Sequence, residues 1–205
     1  MKKIVFILFS VLVLYFITGC SKTPILSYNG NELLYTCTDE QINLFKEEVN
    51  VTITNKQSFV YFDNSEMKEF TDGLLKFNKD NKPEISKCYF VKKDEITNNE
   101  FSSKNIAFRD LNEGSMKLKI NGTYSYKIVD SKTFIDNYTT TEKIENIIST
   151  QINAIFVANM GSKTYAELST EKEYDVERLN VLNSTITSKY GIEVTKVNID
   201  LEKIS

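Results

Sequence analysis

Histidine is missing from all 205 residues, and cysteine occurs three times. Without histidine the chain lacks the commonest general base and the commonest metal ligand at neutral pH. A Ser-His-Asp or Cys-His nucleophile is excluded. Once Cys20 is set aside, Cys37 and Cys88 are the remaining thiols. Two thiols cannot build a structural zinc site without other strong ligands. Glycine is sparse, with seven in the chain, and no Gly-rich cradle for phosphate occurs. A basic stripe is also lacking: 25 Lys and Arg stand against 28 Asp and Glu, for a net charge of −3. Such a chain is a poor candidate for nucleic acid and has no electrostatic reason to lie on anionic lipid. The carboxylates of "TDEQ" (38–41), "DNSE" (63–66) and "TEKEYDVE" (170–177) lack EF-hand spacing and its glycine. They read as solvated turns and helix faces. No cofactor and no metal are expected, and with no activated nucleophile in view neither is an enzyme.

What is present begins at the N-terminus. "MKKIVFILFSVLVLYFITGC" carries Lys2 and Lys3, an apolar run from Ile4 to Ile17, and small residues before Cys20. This is the layout of a secretory signal, and the run is shorter than the roughly 18 residues of a membrane-spanning helix. The alternative is a short N-terminal anchor with an incidental cysteine. Ile17-Thr18-Gly19-Cys20 resembles a bacterial lipobox. That resemblance implies cleavage before Cys20 and its acylation, so that membrane lipid becomes a partner through Cys20. It places the mature chain on the extracytoplasmic face of the bacterial cell membrane, or on the outer membrane if the cell has one, because Ser21 follows the cysteine. Two or more acyl chains, at roughly 0.8 kcal/mol per buried methylene, hold a soluble domain at a bilayer. In an oxidising compartment Cys37 and Cys88 could pair as a disulfide; the alternative is two buried, reduced side chains.

Four sequons, at Asn50, Asn121, Asn137 and Asn183, are chance matches in a chain rich in Asn and Thr. Beyond a polar tether to Gly30, "NELLYTC" reads as a strand. "VNVTITNKQSFVYFDNSEMKEF" follows as strand, turn, strand, turn, strand. "LKFNKDNKPEI" reads as a polar loop, and "KCYFV" and "IAFRD" as short strands. From Met116 to Ile128 one parity carries Met116, Leu118, Ile120, Gly122, Tyr124, Tyr126 and Ile128, the pattern of a long strand with one packed face. Tyr124 and Tyr126 could stack on a sugar, but fit that face. Asp130 or Ser131 caps a short helix bearing Phe134, Ile135 and Tyr138. Ile144, Ile147, Ile148, Ile152 and Ile155 predict a second helix ending near Gly161, after a threonine cap in "TTTEK". A third is predicted from about Ser162 to Tyr190, striped by Leu168, Val176, Leu179, Leu182, Ile186 and Tyr190 and stopped by Gly191. The two longer helices could pack as a hairpin about Gly161. "GIEVTKVNIDLEKI" closes the chain as a strand. Strands, then helices, then a strand predict an α+β fold with a largely antiparallel sheet.

The order of these segments resembles the SPFH domain, also called band 7 or prohibitin homology domain, over roughly residues 47–204. The motifs that carry it are Tyr89-Phe90-Val91, Phe108-Arg109-Asp110, "GTYSYKIVDSKTFIDNY" (122–138) and "YGIEVTKVNIDLEKI" (190–204). Within that family the chain looks most like the bacterial branch described as virion-core-protein-like. The resemblance implies a membrane-associated scaffold or protein-interaction module, with self-association or an envelope protein as partner. Family members usually act on the cytoplasmic side and often continue into a coiled coil. Here an outside location is expected, with small or partner-dependent assemblies in place of cages. The resulting layout is a signal peptide at 1–19, a lipidated tether at 20–30 and an SPFH-like domain at 31–205. An extracytoplasmic lipoprotein binding a peptide or small ligand is the alternative function.

Overall fold

The computed structural model describes residues 23–137 and 141–204. Among these residues ten strands form three sheets, and five α-helices complete an α+β fold. The first sheet orders β1 (Ile25–Leu26), β3 (Val49–Ile53) and β6 (Gly73–Phe77). The second orders β2 (Leu34–Thr36), β7 (Ile85–Lys92), β4 (Gln57–Asp63) and β5 (Glu66–Phe70). The third is a long antiparallel set, β10 (Ile192–Ile204), β9 (Gly114–Ile128) and β8 (Ile96–Asp110). The helices are α1 (Asp39–Asn43), α2 (Ser131–Asn137), α3 (Thr141–Met160), α4 (Tyr165–Thr170) and α5 (Val176–Tyr190).

The second sheet is apolar on both faces, and this sets the architecture. Phe59, Cys88 and Phe90 point into one core with Leu26, Phe45, Val49, Val51, Ile53 and Phe77. Val60 and Val91, of the opposite parity, point into a larger core with β8, β9, β10 and the helices. In β9, Leu118, Ile120, Tyr124, Tyr126 and Ile128 are all buried, while Lys117 on the other parity is exposed. They meet Ile144, Ile148, Ile152 and Phe156 of α3 and Leu182 and Ile186 of α5. The predicted face of this strand is the face the structure buries.

Several expectations need correction. "LKFNKDNKPEI" is not all loop: its Leu75, Lys76 and Phe77 complete β6, paired to β3 with Val51 opposite Leu75, and its Ile85 opens β7. The strand before "FRD" is far longer than "IAFRD". Bulges between Ile96 and Asn99 and between Ser103 and Ile106, with positive φ at Asn98 and Asn105, break the alternation that would have shown it. The helix predicted from Ser162 to Tyr190 is two helices. Between them Tyr174 N–H donates to Val197 O (2.9 Å) and Ile199 N–H donates to Lys172 O (2.7 Å), so this stretch adds a short rung to β10. Val176, placed on the buried stripe, is therefore an exposed first residue of α5, and the simple hairpin about Gly161 is replaced by α4 and this rung. The supposed tether is folded from Pro24 onward: Asn50 N–H donates to Pro24 O (2.9 Å), Leu26 is buried, and Tyr28 stacks on Tyr35. The threonine cap of α3 and Tyr138 fall partly or wholly at 138–142, outside the residues whose side chains are described.

Candidate functional site

The motif residues first. Asp110, last residue of "FRD", is buried at 3% exposure. One carboxylate oxygen accepts from Asn112 N–H (2.6 Å) and Glu113 N–H (2.8 Å), closing the β8–β9 hairpin. The other accepts from Tyr165 N–H, the first residue of α4. These backbone donors hold its carboxyl below the ordinary value of 3.8. Asp130 repeats the device at α2: its carboxylate accepts from the Thr133 hydroxyl (2.7 Å) and from Lys132 and Thr133 N–H, which also lowers its pKa. Val129 and Asp130 N–H both donate to Gly191 O, so the "IVD" turn and the "YGI" turn are locked together. Gly191 has φ +68°, and a Cβ there would lie 2.3 Å from Asp130 O. Gly122 is flanked as tightly, by Asn198 O and the Phe101 ring. Tyr124, buried against Glu145 and Ser149, has its pKa pushed up to about 12 by burial first. These side chains join elements, and Asp110 and Tyr124 are buried in doing so.

The carboxylate clusters resolve the same way. Thr38 and Gln41 of "TDEQ" form a capping box on α1. "DNSE" is the β4–β5 turn, with Asn64 and Ser65 at positive φ. In "TEKEYDVE", Asp175 caps α5 by accepting from Arg178 N–H (2.9 Å), and Glu171 pairs with Arg178 at 2.7 Å. A partly buried polar knot, invisible in the sequence, ties α2 to the second sheet. Ser131 Oγ donates to Glu69 Oε1 (2.7 Å), Ser58 Oγ lies 3.3 Å from Ser131 Oγ, and Lys93 pairs with Glu69 at 3.2 Å. Burial raises the pKa of Glu69, but the two serines and Lys93 outweigh it and the net shift is downward. Ser58 and Ser131 are 0% and 1% exposed, so neither hydroxyl meets a substrate. The sequon residue Asn183 has both amide atoms engaged: Nδ2 donates to Val194 O and Oδ1 accepts from Val194 N–H.

Cys20 lies outside the described residues. Cys37 and Cys88 come together: Cys37 continues the β2–β7 register directly opposite Cys88 and donates its N–H to Cys88 O (3.0 Å). Both are buried free thiols. The hydrogen bond with the Cys37 thiol, then burial, pushes the Cys88 thiol far up, so it stays protonated. Among the described residues no group of three His, Cys, Asp or Glu side chains is placed to hold a metal, and no helix is long and apolar enough to cross a membrane.

Among the described residues, two surface clefts stand out. A groove of about 400 Å³ runs between α3 and α5, with Ile147 and Ile186 at its base and Asn146, Gln151, Lys189 and Tyr190 around it. A smaller cleft of about 270 Å³ lies at Phe45, Lys46, Lys82 and Ile85. The α3–α5 groove is wide open, and its polar groups are amides, hydroxyls and amines. Its lining includes no activated nucleophile.

Two sheets packed on a shared middle sheet, with helices against the larger core and a long closing strand, define an α+β domain. A family model for the SPFH domain-Band 7 family matches residues 45–205. The chain belongs to that family. No curated protein matches it.

Proposed function

We propose that this protein is a lipid-anchored scaffold of the bacterial cell envelope that uses its SPFH domain to bind copies of itself or an envelope protein. The family match over residues 45–205 carries the scaffold half of this reading. The run Ile17-Thr18-Gly19-Cys20 behind a short apolar leader supports the anchor, with Cys20 acylated and the domain on the extracytoplasmic face. On this reading the protein is not an enzyme and needs no cofactor. Cys20→Ala should release the chain from membranes or leave an uncleaved precursor. In-cell crosslinking of the native protein, followed by mass spectrometry, should yield self-adducts or one recurring envelope partner. Acyl labelling that survives Cys20→Ala defeats the anchor; crosslinked material containing only monomer defeats the scaffold.

The same compartment would oxidise Cys37 and Cys88, which face each other across paired strands. A native bridge then adds about 2–4 kcal/mol. Intact mass of unreduced, alkylated protein should show no free thiol beyond the lipidated end. Two alkylated thiols there reject the pairing. The α3–α5 groove is the one observation that favours a ligand-binding lipoprotein instead.

A further inference from the structure

We infer that the outward face of the first sheet is a membrane-contacting surface, and that the domain stands on the bilayer with this sheet down. The inference rests on acylation of Cys20. Its first ground is reach. Pro24 O is fixed by Asn50 N–H at 2.9 Å, so the domain begins four residues after the acylated position. At no more than 3.6 Å per residue, those four steps span at most about 14 Å. A headgroup layer occupies roughly half of that distance. β1 is therefore held at the headgroups, and the domain cannot ride free on a long leash.

The second ground is the chemistry of the face that β1 belongs to. Its inward positions, Leu26, Val49, Val51, Ile53 and Phe77, fill a core. Its outward positions follow from the register: Ile25 opposite Asn50, Asn50 opposite Lys76, and Thr52 opposite Leu74. Ile25 is 67% exposed and Leu74 48%, two of the larger apolar side chains left in water. None of these five outward positions is acidic, although the chain as a whole is net negative. Two apolar side chains, two neutral polar ones and a lysine whose stem can lie along the surface suit the interfacial layer of a bilayer. With one lysine, the contact does not require anionic lipid. The α3–α5 groove belongs to the other core, beyond the middle sheet, and stays turned toward solvent.

The chain has no tryptophan, so each introduced one is a sole reporter. Mature lipidated protein carrying Ile25→Trp, Leu74→Trp or Thr150→Trp is reconstituted into phosphatidylcholine vesicles with or without dibrominated acyl chains. Acylation of Cys20 is checked by mass, and folding by circular dichroism. Emission from the two first-sheet reporters should fall by about twofold or more in brominated vesicles, as expected for groups at interfacial depth, with Thr150→Trp unchanged. The quenching should persist at high salt. If Thr150→Trp is quenched as much, or neither sheet reporter responds while Cys20 carries its acyl chains, the orientation is wrong and the anchor stands. If Cys20 is not acylated, the anchor fails and the orientation with it.

Discussion

At the scale of single residues, Gly191 is a sensitive joint. It combines a left-handed backbone with a carbonyl 2.3 Å from where a Cβ would sit, so two penalties add at one atom. A non-glycine residue held in such a conformation costs about 1–3 kcal/mol before any clash is counted. Gly191→Ala should lower the melting temperature by several degrees or more, at roughly 2–4 °C per kcal/mol for a domain this size. Gly161, which has open space and no positive φ, should tolerate alanine. Equal melting of the two variants would refute the account. Asp110 is sensitive for another reason: donors approach both its oxygens, and asparagine has one acceptor oxygen. Its folded pKa lies below 3.8, so its contribution is complete above about pH 4 and is lost as pH falls through the folded value. Asp110→Asn should therefore melt earlier at pH 7 and lose less further stability between about pH 4 and pH 2 than the unaltered protein. Parallel acid-unfolding curves would contradict this. Gly191 was legible in the sequence as a helix stop. The second role of Asp110 was not, because Tyr165 comes to it through the fold from 55 positions away.

At the scale of elements, period-2 patterning told the truth where one face is packed and failed where backbone geometry intervenes. β9 was readable because its parity runs unbroken from Met116 to Ile128. β10 hides a reset: a bulge between Val194 and Lys196 shifts the buried set from Ile192 and Val194 to Val197 and Ile199. The segment Glu171–Asp175 reads as helix by composition, yet its backbone groups find partners on β10, and local preference yields to them. The groove could not be read at all, since its two walls lie on helices that only the fold brings together. Strand orientation gives a direct test. Ile128→Ala removes a buried side chain, at roughly 2–5 kcal/mol. Lys117→Ala removes an exposed one, and Lys119→Ala breaks a surface pair with Glu202 (2.9 Å), worth no more than about 1 kcal/mol. Thermal unfolding should rank Ile128→Ala far below both lysine variants. The reverse order would mean that β9 faces the other way.

At the scale of the whole molecule, the decisive feature is a sheet with no dry side to spare. Phe59 and Val60 are neighbours in sequence, each fully buried, each in a different core. Neither core can therefore melt without stripping one wall from the other. Heat should take the protein apart in a single cooperative transition, with calorimetric and van't Hoff enthalpies equal, despite its two cores. Amides of β4, walled in from both directions, should exchange with deuterium only through global opening, while those of β6 at the margin exchange through smaller fluctuations. If one surface attaches to the bilayer and another assembles, as proposed, a load applied at either is felt in the same central strands.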